Sequence, residues 1–153
     1  MMLKLDLGIV NFTKGYIKRS LIEEAVLNTL NILGVKDNVE ISIVFVGDKR
    51  MRALNKSFRK KDKSTDVLSF GFEESLSFFK KTKELSLNMG EIVISFPYAK
   101  REAKREKNSI DKELALLVSH GVIHIFGIDH ERSSEENRKT DNIQDRVINS
   151  LFK

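Results

Sequence analysis

The chain has 153 residues, of which 41% are apolar and 32% are charged, and this balance excludes wholesale disorder. It has no cysteine, so it forms no disulfide, thiolate metal site, iron–sulfur cluster or cysteine nucleophile, which suits a reducing cytoplasm. The formal net charge of +5 favours polyanionic partners such as nucleic acid. The chain lacks the roughly 20-residue apolar run of a membrane span and the features of a signal peptide, so we expect a cytoplasmic protein without membrane contact.

The first part of the chain predicts a strand, a helix and a second strand. Polar and apolar residues alternate over residues 3–9, which predicts a half-buried strand. Apolar residues recur at helical spacing from residue 16 to residue 33, and Gly34 is the expected end of that helix. Residues 39–46 are rich in β-branched side chains and predict a strand with one strongly buried face.

The middle of the chain predicts a short helix and two further strands. Asp48 is the expected N-cap of a helix that extends to residue 58. Residues 65–70 predict a strand, which we place at a sheet edge, and residues 89–95 predict another. Residues 73–88 have no clear period and are the expected long surface loop.

Three helices are predicted in the last third of the chain. The first covers residues 97–107 and has the one proline of the chain in its first turn. The second begins at Asp111 as its cap and ends at Gly127, which we expect in the left-handed conformation. A capping box predicts the last helix, over residues 133–151. No repeat, low-complexity tract or linker divides the series, so we predict one α+β domain.

Positive charge is concentrated in two clusters. Between residues 49 and 63 there are eight basic residues and a single acid, Asp62. The second cluster covers residues 100–107 and also contains two glutamates. The clusters are either two solvated faces or a phosphate-binding surface. Few aromatic residues lie among them, so the sequence gives little indication of base stacking.

All three histidines of the chain, His120, His124 and His130, fall within eleven residues. His120 and His124 are four apart on a predicted helix, so their imidazoles project from one face, one turn apart. A chain reversal at Gly127 would bring His130 to the same point. Three imidazoles suit Zn²⁺ and leave its fourth position open, as in catalytic sites, although Ni²⁺ or another divalent cation also fits. The alternative is that these are core or surface histidines that bind no metal.

The histidine spacing is also that of zinc peptidases with an H-E-x-x-H-x-x-G-x-x-H motif. Those enzymes use the glutamate after the first histidine as the general base, and Gly121 occupies that position in this chain. We therefore expect a metal site like that of these peptidases, without the glutamate that acts as their general base. A peptidase with a displaced base is an alternative that Gly121 disfavours.

The segment His120-Gly-x-x-His-x-x-Gly-x-Asp-His130 resembles the hallmark of the YbeY family, metal-dependent, single-strand-specific endoribonucleases of bacterial ribosomal RNA maturation. Residues 55–70 resemble the arginine-bearing segment of that family and its threonine–valine–leucine–serine–phenylalanine strand, and residues 89–95 resemble its glycine–acid–apolar strand. The blocks follow the family order and spacing over nearly the whole chain. Three positions depart from the family pattern: Gly71 in place of proline, Ile128 in place of tyrosine and Glu91 in place of aspartate.

The resemblance implies a zinc-peptidase-like α+β fold, a four-stranded mixed sheet surrounded by helices, as a single metal-dependent endoribonuclease domain over residues 1–153. It implies one Zn²⁺ per chain on His120, His124 and His130, with Arg59 and His120 as catalytic residues. Arg59 would hold a phosphate through two charge-assisted hydrogen bonds. The implied partners are single-stranded or ribosomal RNA and the small ribosomal subunit.

Four other residues are candidates for supporting roles. Asp129 either orients a ligand imidazole or caps the turn into the last helix. Asp66 and Glu91 are weaker acid–base candidates, and Ser69 is a candidate for the lining of the cleft. A function of a different class, an RNA-binding ribosome-assembly factor with a mainly structural metal, also explains the basic clusters.

Overall fold

The structure of the protein, a computed structural model, describes residues 3–71, 89–127 and 134–152. The predicted surface loop over residues 73–88 lies outside these ranges. Four strands and five helices follow one another in the described residues: β1 (Lys4–Asn11), α1 (Arg19–Ile32), β2 (Asn38–Val46), α2 (Asp48–Arg59), β3 (Val67–Phe70), β4 (Met89–Ser95), α3 (Phe96–Arg105), α4 (Ile110–Phe126) and α5 (Ser134–Leu151).

The strands form one mixed sheet in the order β1-β2-β4-β3. The first three are parallel neighbours, and β3 runs antiparallel to β4 at the edge, with Ser69 opposite Ile92. The prediction of an α+β fold with a four-stranded mixed sheet is therefore confirmed, and among the described strands β3 is at the edge, as predicted.

Side-chain alternation along the strands divides the core between the two faces of the sheet. On one face, apolar residues of β2 and β4, among them Ile43 and Ile92, pack against α1 and α4, and α5 packs on those two helices. On the other face, Met51 of α2 packs with Val93 of β4 and Phe70 of β3. Each fully buried side chain of this size stabilises the fold by roughly 1.5–3 kcal/mol. Helix α2 thus lies across the sheet from α4.

The helix starts differ from the sequence prediction at two caps. Gly47, not Asp48, is the N-cap of α2, and Asp48 lies inside the first turn. Ser109, not Asp111, is the N-cap of α4, because its hydroxyl accepts a hydrogen bond from the Lys112 N–H at 3.1 Å. The earlier start brings Ile110 into the helix, where it packs against the core.

The two glycines predicted at helix ends behave differently. Gly34 follows α1 with a φ of 77°, which confirms the predicted left-handed turn. Gly127 ends α4 with a φ of −110°, so the prediction of a left-handed conformation was wrong. A glycine is needed at this position because the backbone lies close to Leu33: an added Cβ would lie 2.6 Å from the Leu33 side chain.

No helix in the described part of the chain is both long enough and apolar enough to cross a membrane.

The Asp48 carboxylate joins α2 to α3, to the end of β4 and to the loop before β3. It accepts hydrogen bonds from the Ser64 and Ser95 hydroxyls at 2.9 and 3.0 Å, and two from the Arg101 guanidinium at 2.7 and 3.1 Å. The Arg101 hydrogen bond is the main cause of a lowered pKa of Asp48, and partial burial opposes it. Because hydrogen bonds to a carboxylate favour its charged form, this network stabilises the fold when Asp48 is ionised.

We predict that Asp48→Asn lowers the melting temperature by about 2–4 °C at neutral pH, since a partly exposed ion pair contributes up to about 1 kcal/mol. A lowered pKa in the folded state means that this stabilisation is present above the unfolded pKa and is lost as the pH falls through the folded one. The difference between variant and wild type should therefore shrink below pH 3.8 in thermal unfolding followed by circular dichroism. Asp145→Asn, exposed on α5, is the control, and a difference independent of pH would contradict the prediction.

Candidate active site at the edge strand

Helix α4 carries two of the three predicted metal ligands. Its apolar side packs on the sheet, so His120 is exposed and His124, one turn later, is half-buried. Their Cα atoms are about 6 Å apart along the helix axis. His130 and Asp129 lie outside the described residues. Within the residues that are described, no three histidine, aspartate or glutamate side chains come together as a possible metal site. A site with three ligands therefore requires a donor from outside them, and His130 is the predicted one.

His124 is bonded to the edge strand. The Ser69 hydroxyl oxygen lies 2.8 Å from His124 Nδ1, and Ser69 is itself buried. This contact assigns Nδ1 to the serine, so Nε2 is the nitrogen with which His124 can coordinate a cation. A ligand imidazole whose second nitrogen is held by an oxygen is the usual arrangement in zinc proteins. The donor set of the described histidines thus fits a divalent cation such as Zn²⁺.

Arg59 reaches the same strand from the opposite face of the sheet. It is the last residue of α2, and its Nη2 donates a hydrogen bond to the backbone carbonyl of Ser69 at 3.1 Å. Its guanidinium carbon lies 5.7 Å from the centre of the Phe70 ring, and the Phe58 ring meets Phe70 edge-on at 5.3 Å. The structure therefore brings Arg59 and His124 together at one residue, Ser69.

The turn after Arg59 is held by buried Asn55. Lys60 has a φ of 61°, an unusual left-handed conformation for a residue with a side chain. The Lys61 N–H donates to the Asn55 backbone carbonyl at 3.3 Å, and the Asn55 side-chain amide donates to the Lys63 carbonyl at 2.9 Å. These bonds tie the loop back to α2, so the position of Arg59 relative to β3 is well defined.

The two other acid–base candidates lie close to β3, and Glu91 is paired across the sheet with Phe70, the residue after Ser69. Asp66 accepts a hydrogen bond from the Val67 N–H at 2.7 Å, and it precedes Ser69 by three residues, about 10 Å along an extended chain. Glu91 is buried on β4, and alternation puts it on the α2 face with Val93. The acid–base roles of Asp66 and Glu91 stay predictions. Ser69, considered from the sequence only as a lining residue, contacts both His124 and Arg59.

Two cations of the first basic cluster, Arg52 and Lys56, form ion pairs with its single acid. Asp62 binds Arg52 at 2.8 Å and Lys56 at 4.0 Å, and the Arg52 hydrogen bond lowers the pKa of Asp62. These exposed pairs contribute little to stability. They do reduce the net positive charge along the outer face of α2.

Gly121 occupies the position at which the peptidases hold their general base. It is buried, and a Cβ added there would lie 2.9 to 3.1 Å from three side-chain carbons of Ile92, which is itself fully buried. A larger side chain at residue 121 would point into the core between α4 and β4. The packing therefore disfavours a peptidase base at this position, in agreement with the sequence analysis.

We predict that Gly121→Ala lowers the free energy of unfolding by about 1 kcal/mol or more, because overpacking against Ile92 outweighs the gain in helix propensity. Urea unfolding followed by circular dichroism measures the change. Gly8→Ala is the matched control, since a Cβ at Gly8 meets no atom within 4 Å, and its stability should stay equal or rise slightly. A stabilising Gly121→Ala would contradict the packing argument.

The chain is similar to proteins of one family. The sequence profile described as "Endoribonuclease YbeY" matches residues 11–151. The protein named "Endoribonuclease YbeY" from Aquifex aeolicus is 36% identical, with 95% of this chain and 91% of the relative covered, and that from Persephonella marina is 38% identical, with 95% and 88% covered. The solution structure of TM1509 from Thermotoga maritima superposes with a TM-score of 0.63 at 26% identity, over 96% of this chain and 89% of that one. The chain therefore belongs to the endoribonuclease YbeY family.

Proposed function

We propose that this protein is a metal-dependent endoribonuclease that cleaves single-stranded RNA and acts in ribosomal RNA maturation, on RNA of the small ribosomal subunit. Membership of the endoribonuclease YbeY family supports cleavage of RNA. The observation that carries the proposal is the convergence of Arg59 and His124 on Ser69, because metal-assisted phosphodiester cleavage combines a metal site with a cationic group that binds the phosphate.

His120, His124 and His130 would hold the cation, with Zn²⁺ as the expected ion and Ni²⁺ as a possible replacement. A divalent cation bound there supplies Lewis-acid chemistry, which polarises phosphoryl oxygens and lowers the pKa of water. Ser69 prepares the site by engaging Nδ1 of His124, which determines the orientation of the ring.

Arg59 binds the phosphate in this proposal. A guanidinium carries five N–H donors in a rigid plane. One of them can position the group through the hydrogen bond to the Ser69 carbonyl while others donate to a phosphate. The Phe70 ring supports the same group. Two parallel hydrogen bonds from Arg59 would orient the scissile phosphate and stabilise the negative charge that grows on it during displacement.

We predict that Ser69→Ala weakens Zn²⁺ binding by about 10- to 100-fold, the usual effect of removing a group that orients a ligand histidine. Competition with a chromophoric chelator measures the affinity without any RNA present. Ser69→Thr keeps the hydroxyl and should stay close to wild type, and Ser57→Ala on the exposed side of α2 is the control. Equal zinc affinity in Ser69→Ala and wild type would contradict the proposed role of Ser69.

Cleavage of a labelled single-stranded RNA tests the function directly. We expect His124→Ala to lose both zinc and cleavage, and Arg59→Ala to keep zinc while cleaving about 10²- to 10³-fold more slowly. Arg52→Ala, whose side chain pairs with Asp62, should cleave normally and serves as the control.

Equal cleavage by every variant would indicate a contaminating nuclease and contradict the proposal. Zinc-dependent folding and RNA binding without any cleavage would favour the ribosome-assembly factor with a structural metal.

A further inference from the structure

A second surface of the protein lies at the carboxyl ends of the parallel strands. The loop after β1, the start of α2 after β2 and the start of α3 after β4 meet there. Phe12 leaves β1 beside β2, where its N–H donates to the Phe45 carbonyl at 2.9 Å. In open sheets with parallel strands this edge is a common place for ligands. None of the predicted metal ligands lies on these three segments.

Aromatic rings and guanidinium groups are paired on this surface. Phe12 is 63% exposed and Tyr16 is 79% exposed, which is unusual for side chains of this size. The Arg50 guanidinium carbon lies 4.7 Å from the centre of the Phe12 ring, and that of Arg101 lies 5.3 Å from the centre of the Tyr98 ring. Because Phe12 remains mostly exposed while Arg50 covers part of it, the ring is open to a further stacking partner.

The loop that presents Phe12 is held in place by its own hydrogen bonds. The Asn11 side chain accepts from the Thr13 N–H at 2.9 Å and donates to the Gly15 carbonyl at 2.9 Å, and the Gly15 N–H donates to the Thr13 hydroxyl at 3.1 Å. Gly15 also lies directly against the Phe96 ring, where a Cβ would come within 2.3 Å. A loop ordered in advance loses little entropy when it binds a ligand.

The charge of this surface is positive. Residues 12–18 contain Lys14 and Lys18 and no acid, and Lys49 and Arg50 are both exposed at the start of α2. The nearby Asp48 carboxylate is occupied by Arg101. An aromatic surface surrounded by cations matches single-stranded nucleic acid, whose bases stack on rings and whose phosphates attract lysine and arginine.

We propose that this surface, formed by Phe12, Tyr16, Arg50 and the neighbouring lysines, binds single-stranded RNA and is a second RNA contact apart from the histidine site. The proposal extends the proposed function, in which RNA is the substrate. Bases stack on Phe12 and Tyr16, and Arg50 contacts a phosphate or stacks on a base. A duplex fits poorly, because its bases are already paired and stacked on one another.

The two RNA contacts are well separated. Phe12 is about 10 Å from Ser69 along the strand direction and three strands away, about 14 Å, across the sheet. A stacked single strand rises about 3.4 Å per nucleotide. An RNA that touches both contacts therefore needs at least about five nucleotides.

Fluorescence anisotropy with a labelled 12-nucleotide RNA without self-complementarity tests the proposal, in chelator so that binding is measured without zinc. We expect Phe12→Leu to weaken binding about five-fold or more, since this change removes stacking but keeps apolar bulk. Arg50→Ala should weaken binding similarly and, if Arg50 contacts a phosphate, reduce the slope of log affinity against log salt by about one. Arg146→Ala, exposed on α5, removes the same charge elsewhere and should bind like wild type.

Two further probes separate stacking from other effects. On an abasic strand of equal length, Phe12→Leu should bind as well as wild type, and a loss of equal size there would overturn the stacking role. Wild-type affinity in both Phe12→Leu and Arg50→Ala, or no RNA binding by the wild type, would overturn the proposal. Thermal unfolding of each variant confirms that it folds.

Failure of this proposal can be distinguished from failure of the proposed nuclease activity. A protein that binds RNA through Phe12 and cleaves none would retain this surface and lose the nuclease function. If RNA is cleaved through Arg59 and His124 and substitutions of Phe12 and Arg50 do not change RNA binding, the nuclease function stands and the second RNA contact is contradicted.

Discussion

The candidate active site depends on two hydrogen bonds made by Ser69. Its hydroxyl contacts His124 on one face of the sheet, and its carbonyl accepts from Arg59, which comes from the other face. This is possible because β3 is an edge strand. In a central strand the outward carbonyl would be bonded to a neighbouring strand, whereas at an edge it is available to a side chain. The position of β3 in the sheet is thus a condition for the arrangement of the site.

Small residues bring α4 close enough to β3 and β4 for these bonds to form. Gly121 faces Ile92, and Gly90 faces Ile125, where a Cβ would lie 2.9 Å from the nearest side-chain carbon. With side chains at these glycines the helix would stand further from the sheet. His124 would then move away from the Ser69 hydroxyl. The distance between His124 and Ser69 therefore depends on the close packing of α4 against the sheet.

The sequence predicted the elements well, because periodicity and β-branched content are local properties. It misjudged caps where two candidates compete, as at Ser109 and Asp111, since packing of Ile110 decides the start of the helix. The histidine spacing placed His120 and His124 one turn apart on a helix, where the structure has them, and the metal site itself stays a prediction. The role of Ser69 was not visible, because His124 is 55 residues away in the chain. The pairing of Phe12 with Arg50 was missed for the same reason, since the aromatic residue lies outside the basic clusters.

Helix α2 connects the two ends of the proposed RNA path. Arg50 lies in its first turn and Arg59 is its last residue, so the two side chains are separated by about 13 Å along the axis and by about half a turn around it. An RNA strand that touches both side chains would run along the length of α2. Because a helix of this length is nearly rigid, the separation is constant from one RNA to the next. The helix would then act as a ruler, and cuts would fall a fixed number of nucleotides from the base that rests on Phe12.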